Sequence, residues 1–266
     1  MVLCLLDWLT VSDDPTIMFR FNPLPLHLLV AALLCVQCVV ARAQSGDASE
    51  FKDGAWVSYR DSYRKMISFE KYGGPKQFLQ NNIRVSVIDK KSTLDGVKLA
   101  LEGRKTHLIL PLDPVGRAVF PMLKSAYDDN AELRVNRPDG VVKIEYRLSI
   151  VTRPDGVYDI GELRNACDQA LKYLRYQDTL YYSLKKCVGV AFSYAKDQGD
   201  IVMRVKAPEQ PPVLLPVTDG SVFADDGFAA FKVVQFKFAG APDKGQVMSY
   251  NVPLAITALF ENIVSF

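Results

Sequence analysis

Residues 158–194 read YDIGELRNACDQALKYLRYQDTLYYSLKKCVGVAFSY, and this stretch predicts a helix that runs into a strand, each carrying one cysteine. Asp159 is placed as the helix N-cap. Glu162, three residues later, completes a capping box in which each side chain satisfies a backbone N–H of the first turn. Tyr158 and Leu163 have the spacing of a hydrophobic staple, which fixes the angle at which the chain enters the helix.

The predicted helix covers residues 159–176 and has one apolar stripe. Apolar residues recur along it at intervals of three and four: Leu163, Ala166, Cys167, Ala170, Leu171 and Leu174. Cys167 is therefore expected to face the core. After a tyrosine-rich connection, residues 187–192 have the composition of a short buried strand that begins with Cys187. The expected packing is a helix lying on a sheet.

The N-terminal region has the pattern of an export signal. Residues 24–40 form a nearly unbroken apolar run preceded by Arg20, and small residues stand at the first and third positions before Gln44. We predict that residues 1–43 are a signal peptide, removed by cleavage between Ala43 and Gln44. An uncleaved membrane anchor is the alternative, because ~17 apolar residues lie at the lower limit for spanning a bilayer.

The translation start and the cysteine count both depend on this segment. A signal that begins at Met18 has a conventional length, so Met18 is the alternative to Met1 as the translation start. Cleavage removes three of the five cysteines and leaves Cys167 and Cys187 in a chain bound for an oxidising compartment. We predict a disulfide between them, which would contribute roughly 3 kcal/mol by restricting the unfolded chain.

Two other uses of the cysteine pair are a redox-active dithiol and a metal site. Neither is favoured, because the sequence after the predicted signal peptide has no C-x-x-C spacing and only one histidine, His107. Charge excludes another class of protein. The whole chain has 32 basic and 30 acidic residues, a balance too mild to indicate a nucleic-acid partner.

The pattern along the remaining chain predicts an α+β fold with a core over residues 56–206. Residues 44–55 have the composition of a flexible leader, and a helix is predicted from Trp56 to Tyr72, with Ser58 as its cap. Short alternating segments separated by turn residues predict a β-sandwich-like region over residues 80–152. The disulfide-tied helix and strand follow it.

A Pro-rich connection, residues 207–212, leads into a predicted β-rich segment over residues 207–266. Its C-terminal residues alternate back from Phe266, as does the last strand of bacterial outer-membrane barrels. Asn262 and Pro253 interrupt that pattern. A final amphipathic helix or an edge strand fits the same residues, so the β-barrel remains a second alternative.

The predicted ligand or partner surface lies in the connection between the central helix and strand. Tyrosine offers a flat face with a polar tip, and a mixture of tyrosines with basic residues suits sugars or anionic groups. The residues of this surface are Lys172, Arg175, Tyr176, Tyr181, Tyr182, Lys185 and Lys186. An envelope glycan or a protein is the expected partner. The membrane is expected to be contacted only through an uncleaved signal segment.

Catalytic and metal-binding residues are not predicted. His107 lies in a predicted strand without a nucleophile context, so we interpret it as a partly buried histidine with a hydrogen-bond partner. The pairs Asp128-Asp129 and Asp225-Asp226 have turn composition, and neighbours in sequence usually point in different directions, so both are predicted to be solvated turns. No cofactor is expected.

By elimination, the sequence favours an exported, periplasmic or secreted, non-catalytic protein that binds a cell-envelope component or a protein partner. The combination of an export signal, one cysteine pair and turn-rich strands is similar to that of exported proteins of Gram-negative bacteria. The first alternative is a hydrolase of envelope polymers, which requires two carboxyls within ~5–10 Å, one of them with a raised pKa.

Overall fold

The structure is a computed structural model that describes residues 48–263, and these residues form antiparallel sheets with helices packed against them. The predicted signal peptide and its cleavage position lie outside the described residues. A 3₁₀ turn covers Ala48–Phe51. The helices are α1 (Tyr59–Lys71), α2 (Lys124–Asp128), α3 (Ile160–Gln177) and α4 (Thr179–Tyr182). The predicted α+β class is confirmed.

The largest sheet has seven antiparallel strands. In spatial order they are β12 (Val217–Gly220), β13 (Phe231–Lys237), β9 (Lys185–Tyr194), β15 (Ala255–Asn262), β7 (Val142–Ile150), β2 (Leu79–Val87) and β5 (Arg117–Ala118). Strands from both sides of the Pro-rich connection are mixed in this order, since β9 lies between β13 and β15, so the segment after residue 212 supplies strands to a sheet that the earlier chain begins.

Two four-stranded sheets complete the architecture. The first contains, in spatial order, β1 (Trp56–Ser58), β6 (Glu132–Val135), β3 (Leu99–Glu102) and β4 (His107–Leu110). The second contains β11 (Val213–Leu214), β10 (Met203–Lys206), β14 (Gln246–Ser249) and β8 (Val157–Asp159).

The predicted β-sandwich-like region divides between two of these sheets. Strands β2, β5 and β7 belong to the seven-stranded sheet, and β3, β4 and β6 belong to the first four-stranded sheet. Ile83 and Val85 of β2 share one apolar cluster with Leu99 of β3 and Leu133 of β6. Because the cluster is common to both sheets, it holds them together, and Tyr59 of α1 packs into it as well.

Helix α3 forms as the sequence predicts. The Asp159 carboxylate accepts hydrogen bonds from Gly161 N and Glu162 N, which caps the first turn. Glu162 itself points to Arg153, at 3.4 Å, so only half of the predicted capping box is made. The apolar stripe, with Leu163 buried, faces strand β9 and contributes about 2 kcal/mol per fully buried large side chain.

The disulfide between Cys167 and Cys187 is confirmed and joins α3 to β9. Their Cα atoms are 6.0 Å apart, a normal distance for a disulfide. Cys167 is fully buried in the cluster that α3 forms with β9. The crosslink therefore fixes the start of β9 against the middle of the helix.

Two predictions near the N-terminus need correction. Trp56 does not begin the helix: it lies in β1, which pairs with β6, and its side chain is exposed. Ser58 does cap α1, accepting a hydrogen bond from Asp61 N. The flexible leader is wrong over its described part, because Phe51 is fully buried and Ala55 donates a backbone hydrogen bond to Arg137 O.

The C-terminal tail is neither a helix nor an edge strand over its described residues. Strand β15 lies inside the seven-stranded sheet, between β9 and β7. It follows β9 from Ala255 to Asn262, with a β-bulge between Leu259 and Phe260. The alternation in the sequence is explained by this interior position, because one face of the strand packs towards α3.

Candidate functional site

A cleft of about 410 Å³ lies where strands β7 and β15 separate. The two strands pair only at Ile150 and Ile256. Along its whole length β7 pairs with β2, through nine residue pairs, while β15 pairs with β9. Because each strand keeps a different partner, the sheet opens between them, and side chains of both line the cleft.

The walls of the cleft carry slightly more apolar than polar surface. Leu148 of β7 and Phe260 of β15 stand on the two sides of the gap, and Ala170 and Leu174 of α3 also line it. The loop of residues 221–226 forms a further wall. A cleft of this size with apolar walls is within the range of small-molecule binding sites.

Polar groups converge in one part of the cleft, where Arg147, Asp225 and Tyr182 all contribute to the lining. The Arg147 Nη2 group donates to Asp225 Oδ2 at 2.7 Å and to Glu145 Oε2 at 2.8 Å. Among the described residues, Arg147 Nη1 has no hydrogen-bond acceptor. The Nη2 group of this guanidinium is therefore already paired with two carboxylates, whereas Nη1 remains able to donate.

Tyr182 supplies a second donor beside Arg147. Burial raises the pKa of the Tyr182 hydroxyl, and the charges of Tyr181, Asp225 and Arg147 act on the same group. The hydroxyl has no hydrogen-bond partner in the part of the chain that the structure describes. It is a neutral donor at physiological pH, so this end of the cleft offers two donors to an acceptor group.

The loop of residues 221–226 is held on the sheet by a buried ion-pair network. Asp226 binds Arg84 in a bidentate manner, with distances of 2.6 and 3.0 Å. Phe223 lies between two guanidiniums, 4.8 Å from Arg84 and 4.9 Å from Arg147. A cation–π contact contributes about 1 kcal/mol at a half-buried site. These contacts make the loop a fixed wall of the cleft.

Each of the two aspartate pairs, Asp128-Asp129 and Asp225-Asp226, has one exposed and one largely buried side chain. The prediction of solvated turns is therefore wrong for one member of each pair. Asp128 and Asp225 keep side chains that are 57% and 63% exposed. Asp129 and Asp226 are only 11% exposed, and each is paired with an arginine: Asp129 with the exposed Arg104 and Asp226 with the buried Arg84. Neighbouring residues do point in different directions, as expected, and at Asp226 the second direction leads to a buried cation, Arg84.

The carboxylates near the cleft are stabilised in their charged form. Burial opposes ionisation of Glu145, but hydrogen bonds from Lys143 and Arg147 outweigh it and lower its pKa. Burial also opposes ionisation of Asp225, and its hydrogen bond from Arg147 outweighs this and lowers the pKa. General acid catalysis by a carboxyl at neutral pH needs a raised pKa, so this cluster lacks the property that the hydrolase alternative requires.

The residues of the predicted surface have different roles. Lys172 and Lys186 are exposed, and Tyr176 is exposed with its ring 5.2 Å from that of Tyr72. Lys185 Nζ lies 5.1 Å from the centre of the exposed Tyr181 ring. Tyr182 alone of the predicted residues lines the cleft.

Arg175 has a structural role in this surface. Its Nε donates to Tyr182 O at 3.1 Å and its Nη2 donates to Lys185 O at 2.6 Å. The guanidinium therefore ties the end of α3 to the start of β9. Hydrogen bonds of this kind fix the connection, and they place Tyr182 beside the cleft.

His107 and the potential metal ligands are the other candidate reactive groups. His107 lies in β4, as predicted, with Nδ1 at 2.7 Å from Glu102 Oε2. Over residues 48–263, no group of three or more potential metal-ligating side chains comes together.

Sequence reasoning missed Arg84, Glu145 and Arg147, which build the network. Arg84 lies in β2, and Glu145 and Arg147 lie two residues apart in β7, on the same face of the sheet. Ser86, two residues after Arg84, donates a hydrogen bond to Glu145 on this face. Charged residues alternating with apolar ones in a predicted strand are usually interpreted as solvent-facing. One signal could have indicated otherwise: these strands lie in the middle of a β-rich sequence, where both faces of a strand can be covered.

No helix over residues 48–263 has the length and apolar character needed to cross a bilayer. A comparison of the chain with protein-family models, curated proteins and solved structures finds no match.

Proposed function

We propose that this chain is an exported, non-catalytic protein that binds a small component of the cell envelope in the cleft between β7 and β15. The observation that carries the proposal is the cleft itself, with apolar walls and two free donors, Arg147 Nη1 and Tyr182 OH, at one end. This arrangement suits a ligand with an apolar body and an acidic or strongly accepting group.

Export is supported by the sequence before Gln44 and by the disulfide. Disulfides persist in oxidising compartments and are rare in the cytosol. The Cys167–Cys187 bond joins α3 to β9, and the Cα atoms of the two residues are 6.0 Å apart, a normal distance for a disulfide. Residues 24–43 add the apolar run and small residues that a signal peptidase recognises.

A binding role rather than catalysis is supported by the charges around the cleft. Asp225 and Glu145 have lowered pKa values, and each is hydrogen bonded to Arg147. Carboxylates held in this way neutralise and position the guanidinium. The arginine then serves as a fixed anchor for the ligand's acceptor group.

The binding site is tested with dodecanoate, a probe that has an apolar body and an anionic end. Ala258 lines the cleft, and Ala258→Trp fills it with an indole ring. We expect isothermal titration to show dodecanoate binding to the wild-type protein and at least about tenfold weaker binding to this variant. Ala229→Trp is the matched control, because Ala229 is exposed and does not line the cleft.

A gentler change tests the polar end. Tyr182→Phe removes one donor while it keeps the ring, and we expect dodecanoate binding to weaken about fivefold. Equal affinities for the wild type, Ala258→Trp and Ala229→Trp would show that the cleft is not the site. The export part is tested separately: intact mass measurement of the native protein without reductant should give a chain that begins at Gln44 and has no free thiol.

A further inference from the structure

The most exposed apolar surface of the connection between α3 and β9 lies around helix α4. Leu180 is 90% exposed, the highest value among the exposed large hydrophobic side chains of the described residues. Three other large side chains that are more than half exposed lie beside it. We call the four the α4 patch: Leu180, Tyr181, Leu184 and Ile263.

The α4 patch is continuous and fixed in place. Leu180, Tyr181 and Leu184 follow each other within one turn and its exit, and Ile263 N donates to Leu184 O at 2.8 Å. Asp178 caps α4 by accepting from Tyr181 N. The two hydrogen bonds from Arg175, to Tyr182 O and Lys185 O, hold the second half of the segment. The leucines are therefore exposed because the fold holds them there, and no described side chain covers them.

Basic residues border the α4 patch. Lys185 and Lys186 follow Leu184 directly, and Arg175 and Lys172 precede α4 on the end of α3. The acidic residues nearby are Asp178, whose carboxylate caps α4, Glu261, which stands opposite Lys186 in the strand register, and Asp225, which is paired with Arg147. The surface around the leucines is therefore net positive.

We propose that the α4 patch docks on an anionic lipid bilayer surface. Apolar tips on one short turn, with a tyrosine at their edge and lysines behind them, match the layered chemistry of a membrane interface. Leucines enter the acyl boundary, the tyrosine ring lies at the headgroups, and the lysines meet the phosphates. A second copy of the chain is a poorer occupant, because two net positive patches repel each other.

This docking is peripheral and differs from the sequence-based expectation that only the signal segment contacts a membrane. It is also independent of the proposed ligand, because the dodecanoate variants Ala258→Trp and Tyr182→Phe leave the four side chains of the α4 patch unchanged. Either proposal can therefore fail while the other stands.

The test is co-sedimentation of the disulfide-intact protein with vesicles. We expect it to bind vesicles of phosphatidylcholine mixed with phosphatidylglycerol, and to bind pure phosphatidylcholine vesicles at least about tenfold more weakly. Leu180→Ser combined with Leu184→Ser should reduce binding to the mixed vesicles about tenfold or more. Lys185→Gln combined with Lys186→Gln should reduce it by a similar factor, and high salt should reproduce that loss.

Val119→Ser is the matched control, because Val119 is 81% exposed but lies beside β5, in another part of the sequence and sheet. Its binding should equal that of the wild type. The proposal is overturned if the wild type fails to sediment with the mixed vesicles, or if Val119→Ser loses binding as strongly as the leucine variant. It is also overturned if sedimentation velocity shows a dimer that Leu180→Ser converts to a monomer, which would assign the surface to self-association.

Discussion

Removing the carboxylate of Asp226 should destabilise the protein far more than removing an exposed carboxylate. The side chains of Asp226 and Arg84 are 11% and 5% exposed, and their two hydrogen bonds measure 2.6 and 3.0 Å. Breaking a buried pair by deleting one partner costs about 3–5 kcal/mol, because the remaining charge stays buried. Arg84 keeps Glu145 at 3.2 Å, so we expect Asp226→Ala to cost about 3 kcal/mol.

The assay is urea unfolding followed by circular dichroism, with Asp61→Ala as the control. Asp61 pairs with Arg64, and both side chains are mostly exposed, so its loss should cost less than about 1 kcal/mol. Replacing both partners, Arg84→Met with Asp226→Leu, should cost less than Asp226→Ala alone, because no uncompensated charge remains. Equal midpoints for Asp226→Ala and Asp61→Ala would refute the argument that the pair is buried and holds the loop.

Three further predictions concern the crosslink, the acid range and the turns. Replacing Cys167 and Cys187 together by alanine should lower the free energy of unfolding by about 3 kcal/mol, and reductant should then have no further effect on the urea midpoint. Because the pKa of Glu145 is lowered in the fold, its carboxylate stabilises the folded state above the unfolded pKa of about 4.3, and this stabilisation is lost as pH falls through the folded pKa. The urea midpoint of Glu145→Gln, measured at a series of acidic pH values, should therefore fall less below about pH 4.3 than that of the wild type. Gly140 and Gly156 end the same tetrapeptide, Arg-Pro-Asp-Gly, and both have positive φ, but only at Gly156 would a Cβ meet a backbone oxygen, at 2.1 Å. Alanine should cost about 1 kcal/mol at Gly140 and clearly more at Gly156, and equal thermal shifts would contradict the steric argument.

Local signals in the sequence were sufficient for α3 and its crosslink. Asp159 caps the helix through its own neighbours, and the stripe from Leu163 onwards repeats at helical intervals, so no distant residue is needed to predict either. Two cysteines in an oxidised chain allow one pairing. The α+β class followed from the same kind of local pattern.

Long-range pairing explains why the cleft and its network could not be predicted. The Asp226–Arg84 pair joins residues 142 positions apart, and nothing near either residue indicates the other. Trp56 fits a helical face in the sequence, yet pairing of β1 with β6 makes it a strand residue. The cleft itself depends on the register at Ile256, where β15 leaves β7, and that register is set by the whole sheet.

The position of β15 determines when the largest sheet can be completed. Its residues, 255–262, are the last described strand in the chain, yet they lie between β9 and β7. Until they emerge from the ribosome, those two neighbours have no partner between them, and the α3 face stays incomplete. The largest sheet can therefore close only after nearly all of the described chain has been synthesised, and such long-range strand pairing makes folding slow.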